Sequence, residues 1–232
     1  MKNNISRKFP SGQAALSTML VAFAVLTVSG IAIAQDKKDE ITFSSVSAPN
    51  APALITPPVG NSAFLAGHGV GTQGYVCLPS GTGASWTVNN ARPEATLFTN
   101  IFGAVVQIIT HFLSPNTNPN EFSPNPPRFG DATWQSSFDS SKVWAQKQHF
   151  ITAGSDPNTC PNFGAIDCLL LQVIGAEEGP TGGKLLTKTT FIQRLNTKGG
   201  SAPLTGCLVS SDVGKQALVP YSADYIFFRA DQ

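Results

Sequence analysis

A mainly β fold, either a β-sandwich or a distorted β-barrel with long loops and at most short helices, is what this sequence predicts, and three observations carry it. Short apolar or alternating runs rich in Val, Ile, Thr, Phe and Tyr recur along the chain. Gly and Pro, 21 and 17 of the 232 residues, punctuate almost every gap between those runs. No long stretch holds the 3.6-residue apolar period, bounded by caps, that a core-packed helix needs.

In chain order the runs are 72–78, 85–88, 104–112, 142–151, 168–174, 185–196, 217–221 and 225–229, all of strand-like composition. One segment, 97–109, reads two ways, because Leu97, Ile101, Val105 and Ile108 also suit one face of a short helix. Ahead of the runs, 35–58 is charged and then rich in Pro, Ala and Ser with no apolar period, the pattern of a tether. The folded region is expected to span 59–232 as a single domain, long enough for a substantial core. Within it, 114–130 has five prolines in seventeen residues and can neither ladder nor coil into a helix, so it is expected as a long surface loop. Prolines stiffen an insertion without making it a site.

The chain opens on Lys2, Arg7 and Lys8, continues through an uncharged run at 16–34, and offers Ala32-Ile33-Ala34 before Gln35. That is the layout of a secretory signal peptide, 1–34, cleaved after Ala34. Its Ala, Ser, Thr and Gly content makes it a weaker span than a membrane anchor, so no stable membrane insertion is expected after cleavage. The expected destination is the periplasm or the exterior. Removing the three basic residues of 1–34 leaves twelve Lys and Arg against fourteen Asp and Glu. A mildly acidic chain without a basic stripe is suited neither to nucleic acid nor to an anionic membrane surface.

All four cysteines, Cys77, Cys160, Cys168 and Cys207, lie beyond the cleavage point, an even set suited to an oxidising compartment. Three pairings are conceivable. Cys160 and Cys168 flank a short Pro-Asn-Gly loop whose ends meet easily, which leaves Cys77 for Cys207. In the chain-entropy view the long closure contributes about 4 kcal/mol and the short one about 2 to 3. Structural zinc is a poorer reading, for no C-x-x-C and no Cys/His spacing of a zinc site is present.

Two nucleotide-like motifs fail on context. Gly69-Val70-Gly71-Thr72-Gln73-Gly74 satisfies G-x-G-x-x-G, yet Tyr75-Val76-Cys77-Leu78 follows it where a helix should begin. In the segment from Gly179 to Lys184, Leu185 stands where a magnesium-binding Ser or Thr is required, and the segment reads better as a hairpin turn. The histidines, His68, His111 and His149, form no H-x-H or H-E-x-x-H pattern, so no metal and no cofactor is expected. There is no G-x-S-x-G elbow. A triad of His111, Asp139 and a nearby serine is conceivable, but a histidine satisfying local hydrogen bonds at a strand end is the better reading.

Several blocks in order resemble an exported bacterial and fungal family known as domain of unknown function 3455. They are Gly71-Thr-Gln-Gly-Tyr-Val-Cys77, Pro93-Glu-Ala-Thr-Leu97 followed by Gly103 and His111, the block from Ala132 to Val143, and Leu169-Leu-Leu171. The block from Thr190 to Pro203, Gly206-Cys207, and Tyr221-Ser-Ala-Asp-Tyr225 with Phe227-Phe228 complete the set. The chain departs from the pattern by its Pro-rich insertion, by Asp131-Ala132 where Gly-Pro is usual, and by Cys168 where a Trp is usual. Cys168 arrives together with Cys160, as a local disulfide would. The resemblance implies no established activity.

Polar residues in these blocks are the candidates for function. One reading is structural: Arg194 pairs with Asp224, while Asn196 and Thr197 bond the backbone of the turn before Gly199-Gly200. The other has His111, Trp134, Arg194 and Tyr221 lining one pocket, Trp and Tyr stacking on a sugar-like ligand and Arg194 taking an anion. An exported binding module for a small or glycan-like ligand is the leading expectation. A structural or stress-related envelope protein without ligand is the alternative, and a hydrolase of unknown type a third. The hydrolase requires His111 or His149 beside a Ser, Asp or Glu in an open cleft.

Overall fold

Eight antiparallel strands make up the computed structural model, which describes residues 46–114 and 131–231, the side chains of 90–93 excepted. The expected signal peptide and residues 115–130 of the Pro-rich loop lie outside the described residues. The strands are β1 (Asn61–Ser80), β2 (Gly83–Ile101), β3 (Ala104–Ser114), β4 (Asp131–Ser136), β5 (Lys142–Ile151), β6 (Cys168–Glu177), β7 (Thr189–Gly199) and β8 (Gln216–Ala230). Each pairs with the next in sequence, and β8 pairs with β1, so the sheet closes into a barrel. The closing pair is long, registered from Asn61 opposite Ala230 to Val76 opposite Gln216. Bulges in β1, β2, β5, β7 and β8 pairings distort the ring. The distorted barrel is the member of the predicted fold class that these residues form.

Strand alternation builds the interior. Along β8, Tyr221, Ala223, Tyr225 and Phe227 point inward, and they meet Leu65, Leu97, Ile109, Trp134, Val143, Leu171 and Ile192 from other strands. The outward residues of the same region are not all solvated. Ile226 and Phe228 join Cys160, Cys168, Leu170 and Leu195 in a second, outer cluster.

Ile55 completes that outer cluster, so that within the tether expected over 35–58, of which 35–45 lie outside the described residues, the described part is packed on the barrel. Residues Ala53–Ile55 form a single 3-10 turn, Ile55 is fully buried, and Gln193 Nε2 donates to its carbonyl at 2.6 Å. Val46 and Ala51 pack there as well. The segment has no period because it is a strap that buries isolated residues against an existing wall.

Strands β1 and β2 extend well beyond the runs 72–78 and 85–88, β7 begins at Thr189 rather than at 185, and three further segments differ from the sequence reading. The segment 97–109 is a β-hairpin: Phe102 (φ 51°) and Gly103 (φ 86°) make its two-residue turn, and Asn100 Oδ1 accepts from Gly103 N at 2.8 Å. Leu97 then faces Ile109 across the ladder. The runs 217–221 and 225–229 are one strand, because Ser222 and Asp224 are the outward positions of β8. β4 is a polar strand, DATWQS, whose inward residues are Ala132, Trp134 and Ser136.

One end of the barrel carries the connections β1–β2, β3–β4, β5–β6 and β7–β8, and both disulfides sit there. Cys77 on β1 joins Cys207 in the β7–β8 connection, and Cys160 in the β5–β6 connection joins Cys168 at the start of β6. Among the described residues no helix is long and apolar enough to cross a membrane.

Candidate functional site

At the disulfide-bearing end the barrel interior widens into a cavity of about 630 Å³. Its inner wall is aromatic. His111 and Trp134 are a cross-strand pair between β3 and β4, and their rings stack with centroids 4.1 Å apart and planes 10° apart. Tyr225 of β8 tilts toward both, at 6.0 and 6.3 Å. The adjacent strand β1 makes room for that ring with Gly69, where a Cβ would come within 2.8 Å of it. Apolar side chains from Leu113, Ala145, Ile166, Leu169 and Leu171 complete the wall.

His111 is 5% exposed and its Nδ1 lies 2.9 Å from the Thr133 carbonyl. A carbonyl only accepts, so Nδ1 carries the hydrogen and Nε2 keeps the lone pair. Burial lowers the His111 pKa to about 4; the Thr133 bond opposes this and the nearby Arg194 charge adds to it. The ring is therefore neutral near pH 7. Trp134 is 1% exposed and its Nε1–H has no acceptor among the described residues.

Arg194 projects inward from β7, where its register partner is Tyr225. Its Nε and Nη2 donate to the Asp167 backbone carbonyl at 3.3 and 2.8 Å. The same cavity wall includes Asp167, Lys147 and Asp131, together with the amides of Gln73 and Gln146. Tyr75 fixes one side of the mouth by donating its hydroxyl to Gly200 O at 2.6 Å, and burial raises its pKa.

Of the four residues nominated for a pocket, His111, Trp134 and Arg194 line this cavity. Tyr221 does not: it lies behind Tyr225, its hydroxyl 2.8 Å from that of Tyr225, and burial raises its pKa strongly. Nor does Trp134 offer a face for a sugar, being stacked on His111 and enclosed. The pairing of Arg194 with Asp224 is likewise corrected by parity. Arg194 and Tyr225 share the inner face, so Asp224, one residue earlier, points outward. There Asp224 binds His68 Nδ1 and Asn196 Nδ2, each at 2.8 Å.

Asn196 and Thr197 occupy a bulge in β7, with Asn196 at φ 51°. Asn196 N donates to Thr159 O at 2.7 Å. Thr197 is fully buried, accepts at its carbonyl from Asn162 Nδ2, and has its hydroxyl 3.6 Å from Cys168 Sγ. Asp139 is at the far end of the barrel, where its carboxylate accepts from Ser141 N, Ser141 Oγ and Leu185 N. Burial alone would raise its pKa, but these hydrogen bonds hold it below the usual carboxylate value. With Asp139 so engaged and His111 bound to Thr133, the triad geometry is not formed. Neither His111 nor His149 has a Ser, Asp or Glu within hydrogen-bond distance among the described residues, whereas His68 has Asp224.

The two nucleotide-like motifs have structural explanations. Gly71 lies so close to β2 that a Cβ would be 1.9 Å from Glu94 O. Together with Gly67 and Gly69 it keeps the inner face of β1 flat. Gly179 and Gly183 let the β6–β7 connection close around Asp139, which a Cβ on either would strike. Sequence reading missed Tyr225, Tyr75 and Asp167 as cavity residues. The alternation of Tyr221, Ala223 and Tyr225 was the available signal for the first.

The family model described as Protein of unknown function (DUF3455) matches residues 58–229. Searches of the curated proteins and of the solved structures each returned no match.

Proposed function

The chain belongs to the family described as Protein of unknown function (DUF3455), and from that premise we propose that the domain is an exported binding protein for a small organic molecule held inside the mouth of the barrel. The cavity carries this reading: about 630 Å³, in the size range of small-molecule pockets, about 300 to 1,000 Å³, with an aromatic floor and leucine wall beside polar groups that make up nearly half of the lining. Export is supported by the two disulfides and by the signal-like start of the chain. The reading narrows from a glycan to a molecule with apolar surface, because Trp134 has no free ring face.

The test is the melting temperature of the oxidised protein across a library of small organic molecules, with Leu169→Trp beside it. Leu169 is a partly buried wall residue, so the larger side chain fills the cavity while remaining apolar. A binder is expected to raise the wild-type melting temperature, by about 2.7 kcal/mol of stability at a hundred times its Kd, and to leave Leu169→Trp unchanged. No rise with any compound, or an equal rise in Leu169→Trp, contradicts the reading.

Enclosure of Trp134 favours the second reading, a structural envelope protein without ligand. Trp134→Ala does not separate the two, since loss of a buried indole costs about 3 to 5 kcal/mol under either. The cavity-filling variant does: it stabilises a ligand-free structural protein or leaves it neutral, and it abolishes function in a binding protein.

A further inference from the structure

Arg194 brings to the cavity wall a permanent charge that no carboxylate among the described residues pairs. A guanidinium has five N–H donors and always carries its charge, and Arg194 is half-buried on the cavity wall. Two of the donors go to the Asp167 carbonyl, which is neutral. Among the described residues no carboxylate lies within ion-pair distance of it, the ion pairs there being formed by other residues. The carboxylates that share the cavity are engaged with neutral donors: Asp167 Oδ1 with Ala153 N at 3.3 Å, and Asp131 Oδ1 with Gln146 Nε2 at 3.4 Å.

We propose that the ligand is a small organic acid, its carboxylate paired with Arg194 and its apolar body lying against Leu113, Leu169 and Leu171. The inference rests on reading the cavity as a binding site. Three remaining N–H groups suffice for a forked, charge-assisted pair, the geometry in which arginine recognises a carboxylate. His111 adds to the selection. Neutral and with Nδ1–H given to Thr133, it presents a lone pair at Nε2, so a hydroxyl or N–H on the acid gains a partner there, whereas a second anionic group does not. Lys147 on the cavity wall, with its ammonium 5.0 Å from the Phe150 ring, offsets with Arg194 the charges of Asp131 and Asp167 on the same wall, so an acid does not enter against a net negative lining. The aromatic floor and leucine wall give the apolar body of the acid a surface to lie against.

Two matched series test this, each keeping one body and changing the head: octanoate, 1-octanol and octylammonium, and benzoate, benzyl alcohol and benzylammonium. Affinities are measured calorimetrically on the oxidised protein, on Arg194→Gln and on Arg194→Lys, with near-UV circular dichroism showing that each is folded. The acid of at least one series is expected to bind most tightly. Arg194→Gln should weaken the acid by about tenfold or more, the value of a hydrogen-bonded charge, and leave the alcohol unchanged. Arg194→Lys, which keeps the charge and loses the fork, should retain the preference for the acid at reduced affinity. If the alcohol or the ammonium binds as tightly as the acid, or if Arg194→Gln leaves the acid unaffected, the charge assignment falls and the binding reading stands. If no member of either series binds wild type, this proposal falls, and the library screen with Leu169→Trp decides whether the cavity reading falls with it.

Discussion

His111 gives its Nδ1–H to a backbone carbonyl and its ring face to Trp134, and it is burial, against the Thr133 bond, that favours the neutral form. Its pKa is lowered to about 4 in the folded state against about 6.5 in an unfolded chain. The unfolded chain therefore binds the extra proton first as pH falls. Stability from this group is complete above about pH 6.5, declines between about 6.5 and 4, and is level below, a loss of roughly 3 kcal/mol at about 1.4 per pH unit. Melting temperatures from pH 7.5 to 3.5 should show that decline in wild type, and His111→Phe should flatten it while keeping an aromatic partner for Trp134. The sign is opposite in origin for Asp139, whose lowered pKa gives stability present above the ordinary carboxylate value and lost as pH falls through the folded one. Asp139→Ala removes an acceptor of three hydrogen bonds and should cost about 2 to 3 kcal/mol in denaturant unfolding at pH 7. At this scale the sequence shows which residues are chemically unusual, but not their neighbours. Arg194 and Asp224 are both present in matched blocks, and only the register of β7 on β8 reveals that they occupy opposite faces.

Strand β1 explains why a glycine motif with a nucleotide-binding spelling has nothing to do with phosphate. Its alternate glycines, 67, 69 and 71, face the interior where Ile108, Tyr225 and the β2 backbone come close. Gly71→Ala is expected to break the β1–β2 ladder locally and cost more than about 2 kcal/mol, since backbone, not a movable side chain, stands at 1.9 Å. Gly103→Ala, at a turn tip with open space around it, pays instead for its φ of 86°. Comparison of their urea midpoints separates crowding from backbone strain. The strap at 46–58 yields a further test: Ile55→Ala should cost about 2 to 4 kcal/mol, whereas a substitution in a free tether would cost nothing. Strand runs were legible because Val, Ile and Phe alternate with polar residues. The strap was not, because one buried isoleucine makes no pattern, and β4 was not, because two of its three inward positions, Ala132 and Ser136, are small or polar.

For the molecule as a whole, closure of the barrel places the two disulfides, the aromatic floor and Arg194 around one mouth. Each disulfide anchors a connection that contributes to the cavity: 152–167 supplies Ile166 and Asp167, and 200–215 supplies Ser201 and Ala202. Replacing Cys77 and Cys207 by Ser should therefore lower stability by about 4 kcal/mol, and replacing Cys160 and Cys168 by about 2 to 3, read from denaturant unfolding. The pairing was readable from cysteine spacing, and the β class from turn punctuation. Pairing of the first strand with the last, which turns a sheet into a container, depends on contacts between residues far apart in the chain, from Val76 with Gln216 to Asn61 with Ala230, and has no local signature.

Occupation of the cavity is the central claim, and the indole and imidazole resonances of the oxidised protein report on it most directly. Trp86 and Trp144 donate to Thr205 O and Ser114 Oγ, while Trp134 Nε1 has no acceptor among the described residues, so the three indoles are distinguishable. Titration with the acid that binds best should move the Trp134 and His111 signals together, saturably and with the calorimetric Kd, and leave Trp86 still. Shifts that spare Trp134 and His111, or that never saturate, would contradict a ligand inside the barrel.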